Sequence, residues 1–385
     1  MSHEIAIEVV EGVASVDAAA WNRLVSPNDP FTDHAFLEAL ESSGSVGPGS
    51  GWIPCHVIAR QRDVLVGAVP LYLKTDSHGE YIFDWGWAGA AHRWGIPYFP
   101  KLVSAVPFTP ATGRRLLVAD GAVEGPVFEA LVGGVRAVAE HTEAQSIHFL
   151  FLTEAERKAL SRIPDFLPRL TSQFHWESAG DASYADFLAR LRSPARKQMR
   201  RERRQAEGAG LRLSVTTGDA AGRKEWDAIY RFYRSTIARK GAIDYLTEGF
   251  FHRIRETFGS HVVLALAHAG DRPVAGSISF EKGAHLYGRY WGAVEHHDGL
   301  HFELCYHALI ERAIERGHAR FEAGAQGDHK IRRGLLPAQT HSVHWLRHPG
   351  LRDAVAEHLL HETRATKGEM ARQAEYTPFK RVDRS

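Results

Sequence analysis

Val66-Gly67-Ala68-Val69 and Ala275-Gly276-Ser277-Ile278 decide the fold, because each is an apolar, glycine-bearing strand and they lie 209 positions apart. The same order of features recurs around them. Trp21 in an apolar helical stretch is matched by Trp226, and Phe31-Thr32-Asp33 by Leu246-Thr247-Glu248. The strand opening at His56 is matched by one opening at His261, and Trp85-Gly86 by Trp291-Gly292. These offsets stay between 205 and 215. Farther on, Phe128-Glu129 and Phe149 answer Phe302-Glu303 and Phe321 at offsets of 172 to 174. A long-period repetition of this kind means one supersecondary unit present twice.

Each copy reads as two helices, three strands, a helix and a fourth strand. In the second copy, residues 225–239 carry apolar side chains at helical spacing, and Thr247 caps a further helix with an acid in its first turn. Residues 261–268, 274–280 and 286–291 read as strands, with Gly270-Asp271 turning between the first two. The amphipathic stretch 302–316 stops at Gly317, and 320–323 is the next strand. The first copy gives strands at 53–59, 64–73 and 81–85, a helix at 127–141 and a strand at 147–152. The junction falls near 171–183, and 351–367 forms a final helix. A hairpin sheet followed by a strand–helix–strand crossover is an α+β arrangement with a mixed sheet. Between Trp85 and Phe128 the first copy is longer than its counterpart by 32 residues rich in Gly, Pro and aromatics. A long loop of that composition is expected to face substrate.

A chain of 385 residues exceeds what one core supports, so two domains are expected. Net charge near +1 with 24% charged residues excludes a protein coated in charge for nucleic acid or membrane. Cys55 and Cys305, the only cysteines, give neither a disulfide framework nor a zinc pattern. The 23 histidines include His296-His297, His341/His344/His348 and His358/His361, none at metal-ligand spacing, so no metal is expected. An N-terminus broken by acids and the absence of a long apolar run point to a cytoplasmic protein without a membrane span.

Five stretches carry a resemblance to a known family. They are Gly79-Glu80-Tyr81-Ile82-Phe83-Asp84, Pro107-Phe108-Thr109-Pro110, Gln173-Phe174-His175-Trp176, Tyr287-Gly288-Arg289-Tyr290-Trp291-Gly292, and the run from Phe321 to Lys330. The chain resembles the FemAB-like predicted N-acyltransferases of bacteria, labelled peptidoglycan biosynthesis or recognition proteins, over nearly its whole length. The resemblance implies two tandem GNAT-like acyltransferase domains, each a mixed, mainly antiparallel sheet flanked by helices. The first is expected at 1–175 with an inserted loop at 87–125, the second at 176–385 with a basic helix at 190–204. It further implies a transferase that moves an acyl or aminoacyl group to a small-molecule or peptide amine acceptor, such as a cell-wall precursor. GNAT enzymes that use acetyl-CoA hold its pyrophosphate on a Q/RxxGxG/A turn at a helix N-terminus. Here that turn is Glu295-His296-His297-Asp298-Gly299-Leu300-His301, with one glycine and two acids. No tightly bound cofactor is expected, and acyl-CoA and aminoacyl-tRNA both stand as co-substrates.

Amide formation needs a base for an ammonium nucleophile and donors for the oxyanion. On strand 286–291, period two puts Tyr287, Arg289 and Trp291 on one face; on the next strand Glu322 is the first choice of base, tuned by Arg289. An Arg–Glu pair across the sheet is the structural alternative. The following loop supplies Gln326, Gly327, His329, Lys330 and Arg333 for an anion or oxyanion, with His329 the second candidate base and Lys330 a further catalytic candidate. Lys101, Phe108, Thr109 and Arg115 are the substrate-binding candidates of the inserted loop. Glu303 and His307, four apart on a helix, read as local support, and Cys305 as a core thiol. Arg196, Arg200, Arg203 and Arg204 form the candidate tRNA contact. Two rival readings stay open: a non-catalytic protein recognising an anionic glycopeptide or peptide in an inter-lobe cleft, and an RNA-binding module.

Overall fold

The computed structural model of the chain describes residues 4–119 and 124–380. Its elements run β1 (Ala6–Val10), α1 (Ala18–Asn22), α2 (His34–Ser42), β2 (Trp52–Pro54), β3 (His56–Gln61), β4 (Val64–Val69) and β5 (Tyr72–Lys74). Next come α3 (Trp85–Arg93), β6 (Lys101–Ser104), β7 (Leu117–Val118), α4 (Pro126–His141), β8 (Ser146–Leu152), α5 (Glu154–Leu160) and β9 (Leu167–Glu177). They continue as α6 (Tyr184–Arg190), α7 (Ser193–Glu207), β10 (Arg212–Thr217), α8 (Arg223–Lys240), α9 (Glu248–Thr257), β11 (Val262–Ala269), β12 (Arg272–Lys282) and β13 (His285–Ala293). The chain closes with α10 (Leu300–Phe302), α11 (Ala308–Glu315), β14 (Arg320–Glu322), β15 (Leu336–Leu346) and α12 (Pro349–Glu375). A π-helical turn, Glu303–His307, joins α10 to α11, and a 3-10 turn, Asp328–Arg333, precedes β15.

The chain forms two compact units. One holds residues up to 171, 245–250 and 339–367; the other holds 172–244, 251–338 and those from 368 on. The C-terminal segment 339–367 belongs with the first unit because residues 341–346 of β15 pair with β8, and Leu351, Val355 and Leu359 of α12 pack with Trp87 and Tyr98.

In the second unit β10, β11, β12 and β13 are antiparallel neighbours, β13 pairs with β14 in parallel, and β14 pairs with β9 antiparallel. Thr247 caps α9 by accepting from the Phe250 N–H (3.3 Å), as the sequence predicts, both residues lying in the 245–250 segment of the first unit. One sheet face packs Leu286, Phe321 and Trp176 against Leu309, Ile310 and Ala313. The other receives α8, and Gly292 makes that approach feasible. A Cβ at Gly292 would lie 1.8 Å from the Phe232 carbonyl oxygen. The helix is tied down there by Thr236 Oγ1, which donates to the Trp291 carbonyl (2.6 Å).

The first unit repeats this order with one displacement. Its β6 and β8 are the parallel pair, with α4 between them in sequence, so β6 is the third strand and the expected strand at 81–85 is not one. Trp85 instead opens α3, its exposed ring stacked on Phe83 at 4.5 Å, and the match of Trp85-Gly86 to Trp291-Gly292 is a coincidence of letters. The strand expected over 64–73 breaks at Pro70, which has no N–H for a ladder: β4 pairs with β3 and β7, while β5 pairs with β2 and β6. The stretch expected as an irregular loop at 87–125 holds most of α3 together with β6 and β7, and its residues 120–123 lie outside the described residues. The expected junction at 171–183 is largely strand β9. Substituting Gly292→Ala is expected to cost about 3 kcal/mol or more by driving a methyl into the α8 backbone. Urea denaturation measures it.

Candidate active site

The sheet of the second unit forks at Glu322. Parallel pairing of β13 with β14 covers three positions, His285↔Arg320, Leu286↔Phe321 and Tyr287↔Glu322. Beyond Tyr287, β13 continues to Ala293 with β12 as its sole strand partner among the described residues. The register slips between Ile278 and Ser279, leaving Arg289 as an extra residue on β13. That bulge interrupts the alternation expected to align Tyr287, Arg289 and Trp291. Tyr287 is buried, Arg289 lies along the Tyr290 ring at 5.0 Å, and Trp291 packs with Ala265 and Ala275.

Glu322 is 3% exposed and faces away from the apolar cluster that takes Phe321. Its register partner on β9 is His175, whose Nε2 is 3.8 Å from Glu322 Oε2; Arg320 Nη1 is 3.7 Å from Oε1. Burial, reinforced by Arg320, brings His175 down to about 3 and His285 to about 4, so both imidazoles are neutral at pH 7.

The 323–333 segment is fastened beside the fork. Lys330 is buried, its ammonium donating to the carbonyls of Ala323 and Gly324, and burial lowers it to about 8. Arg333 donates to both Glu202 oxygens (2.5 and 3.1 Å) and to the His329 carbonyl (2.6 Å), and lies 3.5 Å above the Phe302 ring. Glu202 also bonds His307 Nε2 (3.0 Å), which in turn meets the Tyr184 hydroxyl through Nδ1 (3.0 Å). Burial alone would raise Glu202, but His307, Gln198 and Arg333 hold it below the ordinary carboxylate value. His329 Nε2 meets the Tyr306 hydroxyl at 3.0 Å; burial and the Arg333 and Lys330 charges push the imidazole down, keeping it neutral. Beside this wall lies a cavity of about 560 Å³ lined by Arg201, Arg332, Asp298, Asp328, His329 and Phe302 among others. A second, of about 520 Å³, runs along the 293–302 turn and shares Asp298, Gly299 and Phe302 with the first. A Cβ on Gly299 would lie 2.8 Å from the Glu202 carbonyl, so α7 closes over the N-terminus of α10, where a GNAT pyrophosphate turn would be open.

The first unit holds a buried polar network. Lys101 donates to Asp84 (2.6 Å), Ser77 (2.8 Å) and Glu80 (3.0 Å), and the Tyr98 hydroxyl donates to Asp84 (2.6 Å). Ser146-Ile147-His148 on β8 and Ser342-Val343-His344 on β15 face each other, with the two imidazole Nδ1 atoms 2.7 Å apart. Burial, reinforced by Lys101, brings His148 down to about 3, and burial raises Glu80 to about 7 against the pull of Lys101.

The expected site residues therefore separate. Glu322, Tyr287, Arg289, Trp291, Gln326, Gly327, His329, Lys330 and Arg333 all belong to the second unit. Lys101, Phe108, Thr109 and Arg115 belong to the first and are buried rather than displayed on a loop. Phe108 stacks on Tyr245 at 4.7 Å, Thr109 donates to the Pro107 carbonyl (3.1 Å), and Arg115 donates to the carbonyls of Leu150 (2.8 Å) and Ala111 (2.7 Å). Arg203 is likewise no free tRNA contact: it is bound to Glu303 (3.1 Å) and Glu311 and lies over Tyr184. Lys197, Arg200, Arg201 and Arg204 are the exposed cations of α7. Glu202 and Tyr184 escape a reading of isolated motifs, although Glu202 is the lone acid of a basic run, and His307, expected to support Glu303 within its helix, is bonded to these two instead. No helix among the described residues is long and apolar enough to cross a membrane.

Strand order and fork define a tandem GNAT-like fold. The FemAB-like family model, described as peptidoglycan biosynthesis/recognition, matches residues 12–381, and the chain belongs to that family. Among solved structures, FemX superposes with a TM-score of 0.55 at 10% identity, covering 91% of this chain and 100% of that one. The C-terminal domain assigned to a lysylphosphatidylglycerol synthetase of Agrobacterium fabrum gives 0.57 at 8%, covering 92% and 97%. L-PGS from Bacillus licheniformis gives 0.50 at 9%, covering 83% and 94%. No curated protein sequence matches the chain.

A histidine kept neutral by burial carries a signature in acid. Its folded pKa lies below the unfolded 6.5, so its contribution is full above 6.5 and is lost as pH falls toward the folded value. His175 alone is expected to remove about 2–3 kcal/mol between pH 7 and pH 4.5. Chemical denaturation at the two pH values should show that difference shrinking in His175→Gln.

Proposed function

We propose that the protein forms an amide, moving an acyl or aminoacyl group from an activated donor to an amine acceptor at the fork of the second unit. The carrying observation is a buried carboxylate, Glu322, at the point where β13 loses its parallel neighbour. An ammonium nucleophile has an ordinary pKa near 10 and must lose a proton before attack. In this reading Glu322 takes that proton, with neutral His175 and Tyr287 framing it. The amine nitrogen bonds to the acyl carbon and the ester C–O or thioester C–S bond breaks. The proton on Glu322 then passes to the departing alkoxide or thiolate, and the second proton that the nitrogen sheds on becoming an amide leaves to solvent. The β13 backbone beyond Tyr287, with a strand neighbour on one side only, supplies N–H groups for the oxyanion. Lys330 and Arg333 keep the flanking loop in place rather than reacting.

The family description supports a role in peptidoglycan metabolism, and the fold it shares with FemX and L-PGS supports group transfer. The cover of α7 over α10 weighs against a phosphate cradle of the acetyl-CoA kind and favours aminoacyl-tRNA as donor. Both donor types are cytoplasmic, which is where the reaction would run. Incubation with acyl-CoAs and aminoacyl-tRNAs against amine acceptors, read by mass spectrometry, tests the proposal. Transfer should occur and fall about 10²–10⁴-fold in Glu322→Gln. Transfer at the full rate in that variant would remove the assigned base.

A further inference from the structure

The 560 Å³ cavity between α7, the turn into α10 and the 328–333 turn has a lining that the transfer reaction leaves unused. Arg333 and Glu202 in its wall cancel one another through a doubly hydrogen-bonded pair. Arg201 and Arg332 also line it, are exposed, and make no ion pair among the described residues. Asp298 and Asp328 bring two carboxylates to the same cavity, so its uncancelled charges are two of each sign. Asp298 meets His296 Nε2 at 3.3 Å and Asp328 accepts from Gln373 at 3.3 Å, both in exposed settings. Such a lining is ill suited to a polyphosphate, which would meet two uncancelled carboxylates, and well suited to a ligand carrying both signs. The volume lies in the range that holds a small organic molecule.

We infer that this cavity holds the acceptor, and that the acceptor is a zwitterionic amino acid or short peptide whose carboxylate is gripped by Arg201 and Arg332. Guanidinium forks match a carboxylate in geometry as well as charge. The acidic side chains keep the ammonium at the opposite end of the ligand. From the cavity a run of rings leads back to β13: His329 is 6.3 Å from His301, and His301 is 5.2 Å from Trp291, measured between centroids. That run meets β13 at Trp291, four positions beyond Tyr287.

This inference rests on the amide-forming reading, yet its test separates the two. Isothermal titration without any donor would compare Nα-acetyl-L-lysine with N-acetylcadaverine, which has the same amine and lacks the carboxylate, and with ADP. Nα-Acetyl-L-lysine should bind at least about tenfold more tightly than the other two, one charge-assisted carboxylate contact being worth about that factor. In the surface double variant Arg201→Met/Arg332→Met the preference over N-acetylcadaverine should collapse to near unity. A thermal melt of the variant confirms that it is folded. Equal binding of the two amines, tighter binding of ADP, or a preference that survives the double substitution would each overturn the assignment. If the preference holds while no donor yields product, the site stands and the transfer reading falls. If product forms with no preference between the amines, the reverse applies.

Discussion

The structure depends on how little of β14 pairs with β13. Three register positions hold the two strands together, and their end at Tyr287↔Glu322 creates a backbone edge and a buried carboxylate at one point. A longer pairing would bury that edge in a ladder. A shorter one would leave Phe321 without its place against α11. The bulge at Arg289 and the close seat of α8 on Gly292 fix where β13 goes after the fork. The chemistry proposed for Glu322 follows from this branching of the sheet rather than from any local motif.

The two units use the same strand order to different ends. In the first, the parallel pair β6–β8 carries Lys101, Ser146 and His148; Lys101 donates to Asp84, Glu80 and Ser77, and His148 meets Ser146 and His344. Burying ionised groups is costly unless they are paired and hydrogen-bonded, and the Lys101–Asp84 pair meets that condition with both side chains at most 1% exposed. That interior still leaves Asp84 Oδ1, Glu80 Oε1 and Ser104 Oγ buried without a hydrogen-bond partner among the described residues. The second unit keeps its polar groups beside a fork and a cavity, and fastens the adjoining loop with Lys330 and Arg333. The proposed reaction is assigned to the second unit because the fork and the cavity belong to it.

Much of the second copy of the repeat was legible from sequence. Helical spacing around Trp226, the Thr247 cap, the Gly270-Asp271 turn and the Gly317 stop are local signals that tertiary structure leaves intact. The strand expected at 81–85 failed for a tertiary reason. Its aromatic run looks extended, but Tyr81 takes a left-handed φ of 62° and Asp84 turns inward to Lys101. Composition also misplaced Phe108, Thr109 and Arg115, since Gly, Pro and aromatic residues mark irregular backbone without saying whether it is buried. The Ser-x-His pairs on β8 and β15 lie 196 residues apart in sequence, so only strand pairing reveals them as one feature. Glu322 and His329 were proposed because a strand ending in a glycine-bearing polar loop is a local pattern; their neighbours His175 and Tyr306 come from distant segments, which no local pattern links to them.

The most direct test is the location of a bound bisubstrate analogue, an acyl donor joined to an amine through a tetrahedral phosphonamidate, in a crystal of the full chain. The account requires the tetrahedral centre to lie between β13 beyond Tyr287 and the 323–327 loop, with the Glu322 carboxylate within hydrogen-bond reach of the nitrogen. An analogue seated against Lys101 and His148 in the first unit, or bound in the second with Glu322 turned away from it, would contradict it.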